Sequence, residues 1–236
     1  MHPTQKGILV KLMQSKKRLS FGELLPESMK FESDKFNYHL KHLVKEELVK
    51  KISKKYRLSR KGLQAVSILT AKGKKTATFK VSVALVVLRT ANNKQEILLQ
   101  KRLRHPFYND TNSISGKVEK GEKIIDAAKR KLYEETGLKG EFRFVGTFRK
   151  CKLAKSGEIL EDTFYNSYVT ENPTGKLVKL NEHGENFWIN TKKLRSTLKT
   201  SHDIGKEDLT VFERILNGDY SQFFIEQKRV IKSYTK

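Results

Sequence analysis

Cysteine is nearly absent: Cys151 is the sole one in 236 residues. An intrachain disulfide is therefore excluded, and a reducing interior, with the cytoplasm as default location, is the expectation. No apolar run reaches the roughly 18–20 residues of a spanning helix, so no membrane partner is expected. The opening "MHPTQKGILVKLMQSKKR" lacks a long apolar core and a small-residue cleavage site, so no signal peptide is read there. Internal repeats and low-complexity stretches are missing as well. The scarce charge is negative: 26 Asp and Glu stand against 49 Lys and Arg, a net charge of +23. Residues 1–75 carry +13 of that excess and the remaining 161 residues +10. Such a concentration in one small region points to a polyanionic partner.

What is present has room for two domains. Ile8, Leu9, Leu12 and Met13 recur at helical spacing, and Ser20 with Glu23 forms a capping-box pattern before Leu24. A third helix is read after Ser33, with Phe36, Leu40, Leu43 and Val44 on one face. "LVKKISKKYRLS" gives two short strand-like runs, and Ser59 is placed to cap a last helix. The small, basic stretch "TAKGKKTAT" is taken as the boundary. The expected division is 1–70, a linker at 71–78, a second domain at 79–200 and a helical extension at 201–236.

The stretches "FNYHLKHLVKEELVKK" and "YRLSRKG" resemble a winged helix-turn-helix domain. That resemblance implies a third helix in the DNA major groove and a hairpin wing on the backbone. Lys35, Asn37, Tyr38, His39, Lys41 and His42 are read as lying off the apolar face of that helix. Lys54, Lys55 and Arg57, with Lys50 and Lys51, populate the wing. Asn and Lys suit base edges, wing lysines suit phosphates, and double-stranded DNA is the partner expected.

Beyond the boundary, "FKVSVALVVLRT" and "QEILLQKRLR" read as strands around a turn at residues 91–94. "EFRFVGTFRKCKL" and "EDTFYNSYVTE" read as two more, and "GKLVKLNEHGENFWIN" as a further pair. Short helices are placed at Thr191–Leu198 and Leu209–Leu216. Strands and helices in this order imply a mixed α/β sandwich.

Between them lies "SISGKVEKGEKIIDAAKRKLYEETGL". It resembles the Nudix box, G-x5-E-x7-R-E-U-x-E-E-x-G-U with U apolar. Gly116, Glu122, Arg130, Leu132, Glu134, Glu135, Gly137 and Leu138 fill the fixed positions, and Lys131 replaces one Glu. The resemblance implies a Nudix α/β/α sandwich with a mixed sheet, making the whole chain an α+β, two-domain protein. It also implies Mg2+ held by Glu122, Glu134 and Glu135 against a substrate diphosphate. Glu134 and Glu135 are then catalytic candidates, with Glu182 and Glu185 as loop acids able to replace the missing carboxylate. Asp126 and Glu134, one turn to either side, are the partners expected for Arg130. Arg102, Gly116 and Tyr108 are the substrate-binding candidates, Arg102 because a bidentate guanidinium suits a diphosphate.

Lys131 removes a ligand and adds a positive charge, which weakens any Mg2+ site. The preferred reading is a DNA-binding transcriptional regulator whose Nudix domain binds a nucleoside-diphosphate-type metabolite with weak or no hydrolysis. The alternative is an active Mg2+-dependent pyrophosphohydrolase with an accessory winged helix, and an RNA-directed enzyme is a third. Both resemblances admit a homodimer, and no stretch specifies one.

Overall fold

The computed structural model describes residues 1–70, 78–105 and 107–231. The linker read at 71–78 lies, apart from Thr78, outside them. The chain divides into two units, Met1–Thr78 and Phe79–Lys236.

In the first unit, helix α1 (Pro3–Gln14) buries Ile8, Leu9 and Leu12. Its amino terminus is capped by His2, whose Nδ1 accepts from the Thr4 amide at 3.2 Å. Strand β1 (Leu19–Ser20) leads into the single-turn helix α2 (Phe21–Leu24). The capping box forms in both directions: Ser20 N donates to Glu23 at 2.7 Å and Glu23 N to Ser20 Oγ at 3.3 Å. A 3-10 turn over Glu27–Glu32 precedes helix α3 (Ser33–Lys45), which buries Phe36, Leu40 and Leu43. Strands β2 (Val49–Ile52) and β3 (Lys55–Leu58) make a hairpin, and Ser59 caps helix α4 (Arg60–Val66) through the Gly62 amide at 2.9 Å. The sheet is antiparallel in the order β1-β3-β2.

One residue of α3 corrects the sequence reading. His39 does not face outward with its polar neighbours; it is buried and stacks on His2 at 4.1 Å between ring centroids. Burial lowers its pKa from the ordinary histidine value. The capping role of His2 brings the two rings together, a contact that α3's own periodicity does not reveal.

In the second unit, alternation sets the faces of a mixed sheet. Strands β4 (Lys80–Ala91) and β5 (Lys94–Arg102) are joined by Asn92 and Asn93, both at positive φ. Asn tolerates that left-handed geometry better than most residues. Two short strands, β6 (Thr111–Asn112) and β7 (Ile114–Lys117), pair with β5 and β4. Helix α5 (Ile124–Thr136) follows, then β8 (Arg143–Leu153), β9 (Ile159–Glu171) and β10 (Gly184–Asn190). The main sheet path is β10-β5-β4-β9-β8 and then β11 (Phe223–Val230). Val83, Leu85, Val87 and Leu98 pack on one face against Ala127, Ala128 and Leu132 of α5. Val86, Leu88, Ile97 and Leu99 pack on the other face with helices α6 (Leu194–Leu198) and α7 (Lys206–Leu216). The result is helix, sheet, helix.

The end of the chain departs from expectation. Residues 201–236 are expected to form a helical extension, but among the described residues there only α7 is helical. Phe223–Val230 instead joins the sheet edge parallel to β8, Phe223 opposite Gly146. The close approach needs Gly146, which has φ +148, because a Cβ there would meet the Phe223 ring at 2.6 Å.

Candidate functional site

The box folds as β7, a loop, and α5. Gly137 ends the helix at φ +73, its amide donating to Tyr133 O at 2.8 Å. Arg130 ties the three parts together. Its Nε and Nη2 each donate to the Glu122 carboxylate at 2.7 Å, and Nη2 also reaches Lys117 O at 3.2 Å. Nη1 lies 3.2 Å from Glu134. Glu122 and Glu134 are thus the partners of Arg130, with Glu119 at 3.8 Å; the structure does not give Asp126 that role. The bidentate guanidinium holds the Glu122 carboxyl down to about 2.

Lys131 occupies the site's centre. Its ammonium donates to Glu134 Oε2 at 2.8 Å, which is the main reason the Glu134 carboxyl lies below its ordinary range. Its stem runs across Gly116, where a Cβ would fall 2.6 Å from both Cγ and Cε. Glu135, the next acid, is buried. Burial raises its pKa, against the opposing charges of His183, Lys131 and Arg104 and a hydrogen bond from Gln100. Its Oε1 has no hydrogen-bond partner among the described residues.

These three acids do not form a ready cation site. Arg130 grips Glu122, Lys131 and Arg130 hold Glu134, and Glu135 is buried. Among the described residues no three His, Cys, Asp or Glu side chains gather as a metal ion would need. The donors as arranged do not fit a divalent ion shared by all three.

Glu182 is 86% exposed, 3.6 Å from His183 Nε2. Glu185 is exposed on β10 while its neighbours Gly184 and Asn186 are buried. The side chains that meet the helix end are others. Asn181 and Asn186 donate to the Glu135 carbonyl at 2.7 and 2.6 Å, and Gln100 donates to Asn186 Oδ1 at 3.1 Å. His183, Gln100 and Asn186 were missed in the sequence. The histidine in "NEHGEN", between the candidate acids Glu182 and Glu185, is the signal the sequence offers.

Above the box opens a cleft of about 590 Å³. Lys80, Arg102, Arg104, Lys117, Arg130 and Lys131 line it, and Glu119 and Glu161 are the acids among its described lining residues. Gly116 forms part of its wall, so two of the three substrate candidates, Arg102 and Gly116, share it. Tyr108 is 42% exposed and stacks on His105, a wall residue, at 5.6 Å. Ser115 and Tyr165 also border a smaller cavity of about 60 Å³, which adds apolar Val86 and Phe148 to polar Asn112 and Ser167.

In the first unit, Lys35, Tyr38 and Lys41 are exposed on α3 and Asn37 is half-buried; Lys35 pairs with Glu32 at 3.0 Å. Lys54, Lys55 and Arg57 are exposed along the hairpin.

A family model described as NUDIX domain matches residues 78–210, more than half of the chain. The chain belongs to the Nudix family. A second model, Domain of unknown function (DUF7347), matches residues 2–69. Among curated proteins, isopentenyl-diphosphate Delta-isomerase 2 of Photorhabdus laumondii is 28% identical over 144 residues, 59% of this chain and 78% of the relative. The MutT protein of Bacillus halodurans superposes with a TM-score of 0.51 at 19% identity, over 66% of this chain and 95% of that one. The NUDIX domain of Shewanella oneidensis NrtR, solved with ADP ribose, gives a TM-score of 0.51 at 14% identity, over 66% and 97%. Both structures show that the Nudix fold is shared. Among the described residues no helix is long and apolar enough to cross a membrane.

Proposed function

We propose that the chain is a DNA-binding regulator whose Nudix domain binds a nucleoside-diphosphate-type metabolite with little or no hydrolysis. The observation that carries this reading is Lys131, whose ammonium sits on Glu134 in the wall of a cationic cleft. Six cationic side chains stand against four acids, Glu119 and Glu161 in the wall and Glu122 and Glu134 on Arg130 and Lys131, and the remaining positive charge suits a diphosphate. The same lysine takes a carboxylate away from the box, and its neighbours are engaged by Arg130. Binding keeps its partners while hydrolysis loses its metal ligands. The relatives agree with the ligand class: one is named for a diphosphate and another was solved with ADP ribose. The adjoining cavity offers the group attached to the diphosphate a partly apolar wall.

For the first unit, the reading is a winged helix. Its support is the order of helices and strands, the exposed Lys35 and Lys41 on α3, and the exposed Lys54, Lys55 and Arg57 on the hairpin. A ligand in the Nudix domain then alters DNA affinity.

Turnover assays on a panel of nucleoside diphosphate derivatives, in Mg2+, test the loss of hydrolysis. The wild type should turn over slowly, and Lys131→Glu should gain by about two orders of magnitude as the family carboxylate returns. Glu134→Gln in that background should abolish the gain. Vigorous wild-type turnover, unchanged by Lys131→Glu and stopped by Glu182→Gln or Glu185→Gln, would instead establish a working pyrophosphohydrolase.

A further inference from the structure

Between Glu134 and the cleft stands a cation that belongs to the protein, the Lys131 ammonium. The Lys131 ammonium touches Glu134 directly, and its charge acts on Glu122 and Glu135 as well. It faces the same acids that a divalent ion would have to join. The side chain is 16% exposed, and its stem is confined by Gly116. An ammonium has three donors, and Glu134 uses one of them. Two remain for oxygens of a ligand in the cleft, whose wall includes Lys131, Arg102, Arg104 and Lys117.

From this arrangement we infer that the site takes its diphosphate free of metal, with Lys131 in place of the divalent cation as the bridge between Glu134 and the phosphates. The inference rests on the diphosphate-binding reading above and adds the form in which the ligand is bound. A diphosphate already carrying Mg2+ has part of its charge neutralised and brings a second cation toward a fixed ammonium. Coulomb repulsion then works against that complex. Added Mg2+ therefore leaves the affinity unchanged or lowers it.

Isothermal titration of the full chain with inorganic pyrophosphate and with ADP-ribose, in chelator and in millimolar Mg2+, tests this. The expected result is binding in chelator at least as tight as in Mg2+. Lys131→Met keeps the stem over Gly116 but loses the charge, and should weaken binding in chelator about tenfold or more. Lys131→Arg should restore most of it. Lys131→Glu should lose binding in chelator and regain it only with Mg2+. Wild-type binding that requires Mg2+ would overturn the inference while leaving the diphosphate reading in place. Binding of neither ligand under either condition would overturn the reading itself, and the inference with it. Thermal unfolding of each variant checks its fold; if Lys131→Met fails to fold, the wild-type comparison with and without Mg2+ still decides.

Discussion

Lys131 and Gly116 fit each other: the lysine stem lies where any side chain at 116 would begin, and its ammonium reaches Glu134 at 2.8 Å. The glycine, inside strand β7, therefore sets the position of the charge at the centre of the site.

Gly116→Ala should push that stem aside. The strain is limited by the lysine's flexibility, and a cost of about 1–3 kcal/mol is expected. The informative readout is Glu134. Its carboxyl, held low mainly by Lys131, should titrate higher in the variant, as followed by carbon NMR of the side chain. An unchanged Glu134 titration would mean that the ammonium does not depend on the glycine.

The Arg130–Glu122 pair gives a dependence on acid. The Glu122 carboxyl drops from 4.5 to about 2 on folding, so the folded state favours its ionised form. That contribution is fully present above about 4.5 and is lost as pH falls through about 2. Glu122→Gln should be less stable than wild type at neutral pH, with the gap closing across that window. Chemical denaturation at a series of pH values measures it. A gap that is constant with pH would remove the ion pair as its cause.

The hairpin lysines predict a salt effect. If Lys54 and Lys55 neutralise phosphates, replacing both by Ala should weaken duplex binding for all sequences. The slope of log affinity against log salt should become shallower by about 2. Asn37→Ala should instead change which sequences are selected from a random pool. Equal loss across all sequences from both variants would argue against base reading by α3.

Much of this was legible because it is local. The box is contiguous, so its resemblance to the family pattern implied the helix that is α5, and Ser20 with Glu23 or Asn92 with Asn93 needed only their neighbours. What escaped depends on strand register. Asn186 sits opposite Gln100 on adjacent strands, and the two meet across 86 residues of sequence. Lys150 and Lys152 in "FRKCKL" are both buried, Lys150 against Asp208 and Lys152 against Asp203 and Glu161. The acids that make their burial tolerable come from other elements. Strand β11 was missed for the same reason, because its partner β8 lies some 77 residues earlier.

The most direct measurement of the central claim is the affinity of the full chain for a selected duplex, by fluorescence anisotropy, with and without saturating ADP-ribose. Binding to two sites of one regulator must be coupled, and the coupling must be reciprocal. The account predicts a shift of about fivefold or more in DNA affinity, with the same factor appearing in ligand affinity when DNA is saturating. Tight binding of both partners with no effect of either on the other would contradict it.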